Sequence, residues 1–572
     1  MSSLLLEYFK EGDNEDSYFL TTESYISMLL WKCIDIKDEV DIRLIKSQNL
    51  LENPVEILIS FSGINYEIEH DSKIHSKLPI LQKKHSKLNV VGLCSVLRGL
   101  LKQSYSDFSR LLLGHKENCL AAPSEVSTWT KLCERDMIEC VEKLIISNSV
   151  RDFPIELINF ERDLSNPVRI HNVYKVAREL KKDKSIKSGS VVELEHTFCQ
   201  GHFISLADFM LFASFKILFK GHVFDRKELK SIIPLTLNWY SNMKLENNFN
   251  DSFKSIFCSC TKARSFQTLS EISELNVDGK YFSLFKRDLT GYKHKDRRLY
   301  TGQQEVEEAI AKVMSLNLDI KSKPGKECLV IDDEQVDALL KCGDLPTTRL
   351  ERKRHQLKSL AIEVVKIAKD DDVIVDFCSG TGHLGFLLAQ LLPYCHIIIL
   401  ENKEESIDRA RAKAKDLQID NVSFWQCNLE YFQEKFNIGV ALHACGVATD
   451  LVLWKCWNIK ANFVASPCCY GKIQNLDVVQ LPQSQLYRQV LNIKDFLNVA
   501  HCSDQTHDVN LEKVNVAKSI QGNLCMDIVD TDRLLKSKEL GYKVELKRLF
   551  PENCSQKNRL LVGINNESLD IR

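Results

Sequence analysis

The most constraining feature of the chain is a glycine-rich turn wedged between a strand and a helix. Val373-Ile-Val-Asp-Phe377 is a β-branched apolar run. It is followed by Cys378-Ser-Gly-Thr-Gly382 and then by an apolar helical pattern from about Leu384 to Leu392. Gly380 and Gly382 permit a tight turn and a close approach of ligand to backbone. A strand, a turn of this kind and a helix form the opening unit of a parallel α/β layer, because both faces of such a strand must be covered by helices.

The residues downstream repeat that alternation. A basic helix over about 352–368 precedes the first strand. Strands are expected at His396–Leu400, Val422–Gln426, Ile438–Leu442 and Asn462–Ala465, with a helix over Glu404–Leu417. Beyond a longer insertion, a helix near 532–540, a strand at Tyr542–Leu546 and a final strand at Arg559–Ile564 close the pattern. The short return between the last two strands implies an antiparallel hairpin. Ligands of such sheets sit at the carboxyl ends of the strands, and the unusual residues fall at those ends. Asp376 ends the first strand. Glu401, 25 residues later, ends the second and is placed to accept both hydroxyls of a ribose. Asn428, after the third, is placed to read an adenine edge.

This arrangement resembles class I methyltransferases, a doubly wound, seven-stranded fold. The resemblance implies S-adenosylmethionine as cofactor, held by Asp376, Cys378, Gly380, Gly382, Glu401 and Asn428. The family pattern has glycine where this chain has Cys378, which leaves less room beside the methionine moiety. The fourth strand ends His443-Ala-Cys-Gly-Val-Ala-Thr-Asp450 and the fifth Ser466-Pro-Cys-Cys-Tyr-Gly471. This pair of motifs resembles a group that includes RNA-modifying methyltransferases. A substrate pocket walled by Cys445, Pro467, Cys468, Cys469 and Tyr470 is expected, with His443 as catalytic base because its ordinary pKa lies nearest neutrality. A zinc site built from His443, Cys445, Cys468 and Cys469 is weighed against simple packing of thiols. Packing is preferred, and no metal is expected.

The N-terminal half reads differently. Strand signals at Tyr18–Thr21, Val40–Ile45 and Val55–Phe61, helical spacing over Glu23–Cys33, Lys77-Leu-Pro-Ile-Leu81 and an apolar helix over Val91–Leu101 follow a β-α-β then β-β-α order. From about Gln103 to Lys244 the pattern is helical, and Ser205-Leu-Ala-Asp208 before Phe209–Phe219 forms a reciprocal cap. These features resemble the thioredoxin-like and all-helical domains of glutathione transferases, in which the strand-entering proline is cis. The stretch Asn89-Val-Val-Gly-Leu93 lacks the acid and hydroxyl that hold glutathione in that family, and no catalytic Tyr, Ser or Cys is assigned in the first turn, near which Thr21, Thr22 and Ser24 lie. A module for protein contact or dimerisation is therefore expected.

Taken over nearly its whole length, the chain resembles the glutathione S-transferase C-terminal domain-containing protein family. The expected domains are 1–102 (thioredoxin-like), 103–260 (all-helical), 261–344 (basic connector) and 345–572 (class I methyltransferase). The expected function is S-adenosylmethionine-dependent methyl transfer with RNA as one candidate acceptor. A glutathione-binding transferase-like protein and a non-catalytic scaffold are the alternatives.

Composition narrows the partners. A formal charge of −2 on 572 residues confines nucleic-acid contact to local patches. Two are basic, 286–298 and 349–358, the first with Phe285, Tyr292 and Tyr300 interleaved. The apolar stretch Phe203–Phe219 is interrupted by Asp208 and Lys216, too short and too charged to span a bilayer. The start lacks a secretory pattern. A cytoplasmic protein is expected, with its 20 cysteines reduced.

Overall fold

The computed structural model describes residues 2–12, 16–47, 55, 57–70, 74–124, 126–146, 153–166, 168, 182, 196–220, 226–246, 302–326, 329–340, 347–476, 478–506 and 516–566. The basic stretch 286–298 lies outside the described residues. The chain divides into two compact units, 1–287 and 288–572.

In the first unit the central strand is β1 (Ser2–Glu11), a stretch the sequence reading passed over. Leu4, Leu5 and Leu6 are fully buried in it. The following elements are β2 (Ser17–Leu20), α1 (Thr22–Cys33), β3 (Val40–Lys46), β4 (Ile57–Ser60), β5 (Tyr66–Glu69), β6 (Ile80–Lys83), β7 (Leu88–Val91) and α2 (Leu93–Leu101). β1 pairs in parallel with β3 (Leu4 opposite Ile42) and antiparallel with β6 (Leu4 opposite Leu81). β6 pairs antiparallel with β7, and β3 in parallel with β5. Past an irregularity between Tyr8 and Lys10, the end of β1 turns to pair with β2, which pairs with β4. The Leu78–Pro79 bond that leads into β6 is cis.

Helices follow: α3 (Asp107–Leu112), α4 (Thr128–Lys131), α5 (Met137–Ile146), α6 (Ile155–Ser165), α7 (Leu206–Lys220), α8 (Arg226–Ile232) and α9 (Pro234–Met243). α7 is buried almost all round, as expected of a helix at the centre of a helical layer. The buried Asp208 fixes its start. Ser205 gives both its backbone N–H (3.0 Å) and its hydroxyl (2.7 Å) to Asp208 Oδ2. Cys199 N–H (2.7 Å) and Trp239 Nε1 (2.9 Å) donate to Oδ1. One carboxylate thus joins the helix start, the preceding loop and α9.

The second unit contains α10 (Gln303–Met314), α11 (Asp333–Leu340), α12 (Thr347–Ile367), β8 (Val373–Phe377), α13 (His383–Leu391), β9 (His396–Glu401), α14 (Glu404–Asp416), β10 (Val422–Gln426), β11 (Ile438–Cys445), α15 (Ala448–Asn458), β12 (Asn462–Cys468), α16 (Gln485–Arg488), α17 (Ile493–Cys502), α18 (Val516–Glu539), β13 (Tyr542–Arg548) and β14 (Arg559–Asn565). The strand order is β13-β14-β12-β11-β8-β9-β10. β8 to β12 run parallel, and β14 runs antiparallel to both β12 and β13. The central strands are continuous apolar runs, such as His-Ile-Ile-Ile-Leu-Glu in β9, as burial on both faces demands. β13 reads Tyr-Lys-Val-Glu-Leu-Lys-Arg, the charged sequence of an edge strand.

Part of the expected connector belongs to this unit. Val306, Ala309 and Val313 of α10 share a core with Val499 of α17 and Met526 and Val529 of α18. Lys323 forms a bridge to β13: its N–H donates to Leu546 O (2.9 Å) and its carbonyl accepts from Arg548 N (2.8 Å). α18, expected only near 532–540, begins at Val516. Its buried face carries charge. Arg533, 1% exposed, is bidentate to Asp450 (2.7 Å to each oxygen) and bonded to Asp530 (2.9 Å), which also accepts the Tyr470 hydroxyl (2.7 Å). Among the described residues no helix is long and apolar enough to cross a membrane.

Candidate cofactor and acceptor site

β8 lies between β9 and β11 at the centre of the sheet. Connections leave it to opposite sides there, and in doubly wound sheets ligands bind at the carboxyl ends of the strands beside such a point. The structure brings Asp376, Gly380, Gly382, Glu401 and Asn428 to that edge, as their order in the sequence predicts.

The loop after β8 is clamped by two carboxylates. Asp376, 1% exposed, accepts the Gly385 N–H through Oδ2 (2.9 Å). Burial raises its pKa to about 7, against the lowering effect of that N–H and with Glu401 adding to the rise. Glu401, 8% exposed, accepts Gly380 N–H at Oε2 (2.9 Å) and the N–H groups of Asn402 and Lys403 at Oε1 (3.1 Å each). Two oxygens offer about four acceptor positions. Three are taken by backbone, and the remaining one is at Oε2. The expectation of a carboxylate accepting both ribose hydroxyls is therefore narrowed to one.

The glycines have separate reasons. A Cβ on Gly382 would lie 2.9 Å from Phe386 and 3.1 Å from Ile399, and one on Gly385 would lie 3.2 Å from Asp376 Oδ2. At Gly380 (φ 59°) an added Cβ would meet nothing within 4 Å, so the half-buried backbone leaves room for a ligand to approach. Cys378 also has a positive φ of 54°. The glycine of the class I pattern would adopt that conformation without strain, whereas a Cβ-bearing residue costs about 1–2 kcal/mol. Asn428 is buried directly after β10, and its carbonyl accepts Tyr431 N–H (3.0 Å).

Beside this loop β11 departs from regular pairing. Its register with β12 shifts between Leu442 and Ala444, and His443 takes φ 66°. The kink exposes His443 and brings its Nε2 within 3.0 Å of Gln356 Oε1 on α12. The Gln356 amide nitrogen donates to Cys554 O (3.3 Å), which fixes Oε1 as the acceptor. His443 therefore carries its proton on Nε2, and Nδ1 holds the lone pair. Desolvation by the surrounding walls and the Lys353 charge lower its pKa, although much of the ring surface stays open. The neutral imidazole is the form that can accept a proton.

Three residues here escaped the sequence reading as site residues. Lys353 of α12 acts electrostatically on Asp376, His383 and His443, and burial lowers its own pKa. Gln356 orients His443. His383 contacts Thr381 Oγ1 through Nδ1 (3.0 Å); burial, then Lys353 and Lys413, lower its pKa to about 3. His383 adjoins the glycine turn in sequence, a signal that could have found it. Lys353 and Gln356 depend on how α12 packs on the sheet, which no local pattern encodes.

The acceptor side is corrected in one respect. Tyr470 was expected to wall the pocket, but it is 0% exposed and its hydroxyl donates to Asp530 in the core. The sulfurs do gather at the edge. Cys445 Sγ and Cys468 Sγ are 3.1 Å apart, and Cys469 Sγ lies within 4.8 Å of both. The Cys468 thiol donating to Cys445 holds the latter down to about 6, while Cys468 itself is pushed up by the same bond and by burial. Pro467 is buried in β12, opposite Ala444 and next to Cys468 in the strand.

The fold and this edge define a methyltransferase domain. The profile of a family described as a methyltransferase domain matches residues 352–476. The glutathione S-transferase C-terminal domain-containing protein homolog of Drosophila melanogaster is 40% identical over 509 residues, covering 85% of this chain and 85% of its own. The human glutathione S-transferase C-terminal domain-containing protein is 30% identical over 559 residues, 85% of this chain and 86% of its own. The chain belongs to the glutathione S-transferase C-terminal domain-containing protein family. A local match of 38% identity over 60 residues, 10% of this chain and 13% of the other, is to a 23S rRNA (uracil(1939)-C(5))-methyltransferase of Aliivibrio salmonicida.

Proposed function

We propose that the second unit transfers a methyl group from S-adenosylmethionine to RNA, and that the first unit is a transferase-like adaptor. The observation that carries the first part is the Glu401–Gly380 bond. It places a buried carboxylate with one remaining acceptor position beside an open glycine backbone, at the edge where a doubly wound sheet receives its ligand. A nucleoside moiety fits these residues. Glu401 Oε2 would accept one ribose hydroxyl, Asn428 would face the base, and Gly380 and Gly382 would admit the chain of the methionine moiety.

When bound, the cofactor supplies an electrophilic methyl group on a sulfonium. Methyl transfer gains chiefly from positioning the nucleophile in line with that group. In this reading His443 Nδ1 takes the proton of the acceptor while Gln356 holds the ring. The Lys353 ammonium and the exposed Arg352 supply positive charge beside the cleft, suited to a phosphodiester backbone. The locally similar enzyme is by name an rRNA methyltransferase, which supports RNA as the acceptor class.

Titration calorimetry of the full chain with S-adenosylmethionine and S-adenosylhomocysteine tests the cofactor. Saturable binding of both is expected, and no heat with either would remove the reading. Crosslinking to cellular RNA tests the acceptor. Recovery is expected to fall in Arg352→Ala/Lys353→Ala, and RNA no higher than background in the unaltered protein would count against it.

For the first unit, the strand order β5-β3-β1-β6-β7 supports a thioredoxin-like domain, and α7 with its Asp208 cap supports a transferase-like helical domain. Weak affinity for glutathione is part of this reading: Asn89-Val-Val-Gly-Leu93 offers no acidic or hydroxyl side chain, and Lys77, two residues before Pro79, is already paired with Glu23 (3.0 Å).

A further inference from the structure

We infer that the carboxyl ends of β11 and β12 form a three-thiolate site for a single zinc-class cation, made by Cys445, Cys468 and Cys469. Cys445 and Cys468 are register partners on adjacent parallel strands, which sets their side chains side by side. All three Sγ atoms lie within 4.8 Å of one another. Tetrahedral zinc with bonds of about 2.3 Å spaces its sulfurs about 3.8 Å apart. The Cys445–Cys468 pair, at 3.1 Å, needs to open by less than 1 Å to reach that spacing.

Consecutive cysteines on a strand point to opposite faces and cannot share an ion. Here the strand ends at Cys468, and Cys469 steps into the left-handed region (φ 50°, ψ 52°). That step brings the second sulfur back toward the first. It is an unfavourable conformation for a residue with a Cβ, at a cost of about 1–2 kcal/mol. The opposing loop is held against it. Gly446 donates its N–H to Cys468 O (3.1 Å), and a Cβ on Gly446 would fall 2.7 Å from Lys472 Cβ. Two strained or glycine-dependent turns therefore converge on one cluster of sulfur.

The donor set selects its ion. Soft thiolates favour zinc or copper(I) over calcium and magnesium. Three thiolates and a divalent ion leave one negative charge, and the Lys472 ammonium acts on the cluster from the next turn. Neither ring nitrogen of His443 falls within the 4.8 Å group that the three sulfurs make, so it is not the fourth ligand in this arrangement. Cys445 is exposed, which leaves the fourth position on the open side, to water or to an incoming donor. Loading releases the thiol protons to solvent. The site stands independently of methyl transfer.

The test uses the full chain, reduced, stripped with chelator and titrated with Co2+ and then Zn2+. One equivalent of Co2+ is expected to give a sulfur-to-cobalt charge-transfer band, and one equivalent of Zn2+ to abolish it. Cys445→Ser, at an exposed position, should weaken Co2+ binding at least tenfold, and Cys502→Ala should leave it unchanged. In the unaltered protein, Zn2+ should shield Cys445, Cys468 and Cys469 from iodoacetamide, read by mass spectrometry. Absence of the thiolate band, equal affinity in Cys445→Ser, or protection of other cysteines in place of these would each overturn the assignment.

Discussion

At the scale of the residue, the cofactor edge turns on how few acceptor positions Glu401 has left. Three backbone N–H groups already bond its oxygens, so the side chain both shapes the loop and offers Oε2 to a ligand. Glu401→Ala should weaken S-adenosylmethionine binding by about 1–3 kcal/mol, the usual cost of removing a charged hydrogen-bond partner. Calorimetry on the full chain reads this directly, and unchanged affinity would refute the ribose assignment. Cys378 is the opposite case, a residue whose backbone conformation suits another amino acid. With φ at 54°, Cys378→Gly should raise stability by about 1 kcal/mol, measured by denaturant unfolding. His443 shows how a single neighbour sets chemistry. Gln356 Oε1 accepts the hydrogen bond of Nε2–H, and so Nδ1 is the basic nitrogen.

At the scale of the element, α12 does two jobs that its sequence merges. Its basic run, 349–358, reads as one patch, but the helix periodicity divides it. Arg354 turns toward α11, where it is bidentate to Asp337 (2.8 and 2.7 Å) and bonded to Asp333 (3.3 Å); Lys358 also bonds Asp333 (2.7 Å). These charges are neutralised within the protein. Lys353 faces the cofactor loop instead. Arg354→Ala should therefore lower stability by about 1 kcal/mol and leave RNA crosslinking nearly unchanged, the reverse of Arg352→Ala/Lys353→Ala. α18 contributes the other decisive side chain. Asp450→Ala would leave the Arg533 guanidinium buried with only Asp530 to balance it, and should cost about 3–5 kcal/mol. Thermal unfolding would show it as a loss of the second unit's transition.

At the scale of the whole molecule, the two units answer to different chemistry and should respond differently to pH. In the first unit, burial and the Glu23 charge raise Glu142 to about 7, against 4.5 for an ordinary glutamate. The folded state then favours the protonated acid. Its contribution is full below about pH 4.5 and is lost as pH rises through about 7. Glu142→Gln keeps an acceptor for the Thr22 hydroxyl without the charge. It should stabilise the protein on the order of 1 kcal/mol at pH 8 and much less at pH 5, read from denaturant midpoints at the two values.

The doubly wound sheet was legible because its rules are local and repetitive. Continuous apolar runs, a glycine turn and an acid at a strand end appear in the sequence in the order they take in space, and Asp376, Gly380, Glu401 and Asn428 could be placed from that order. The stretch at Ser2–Glu11 was missed because the pairing that centres it in the sheet is non-local: its partners there lie 38 residues away in β3 and 75 to 81 away in β6. The same limit hid α10, whose apolar face is explained only by α17 and α18. Sequence alone determined which residues reach the carboxyl edge of the sheet, since the period of strands and helices fixes that. Tertiary structure decided which way they face. It turned Tyr470 into the core to satisfy Asp530, and it set Gln356 against His443 and the Lys353 charge near Asp376. It also drew three sulfurs together at the ends of two strands. Each of these depends on contacts between residues distant in the chain, where packing and the pairing of buried charge, not local pattern, select the arrangement.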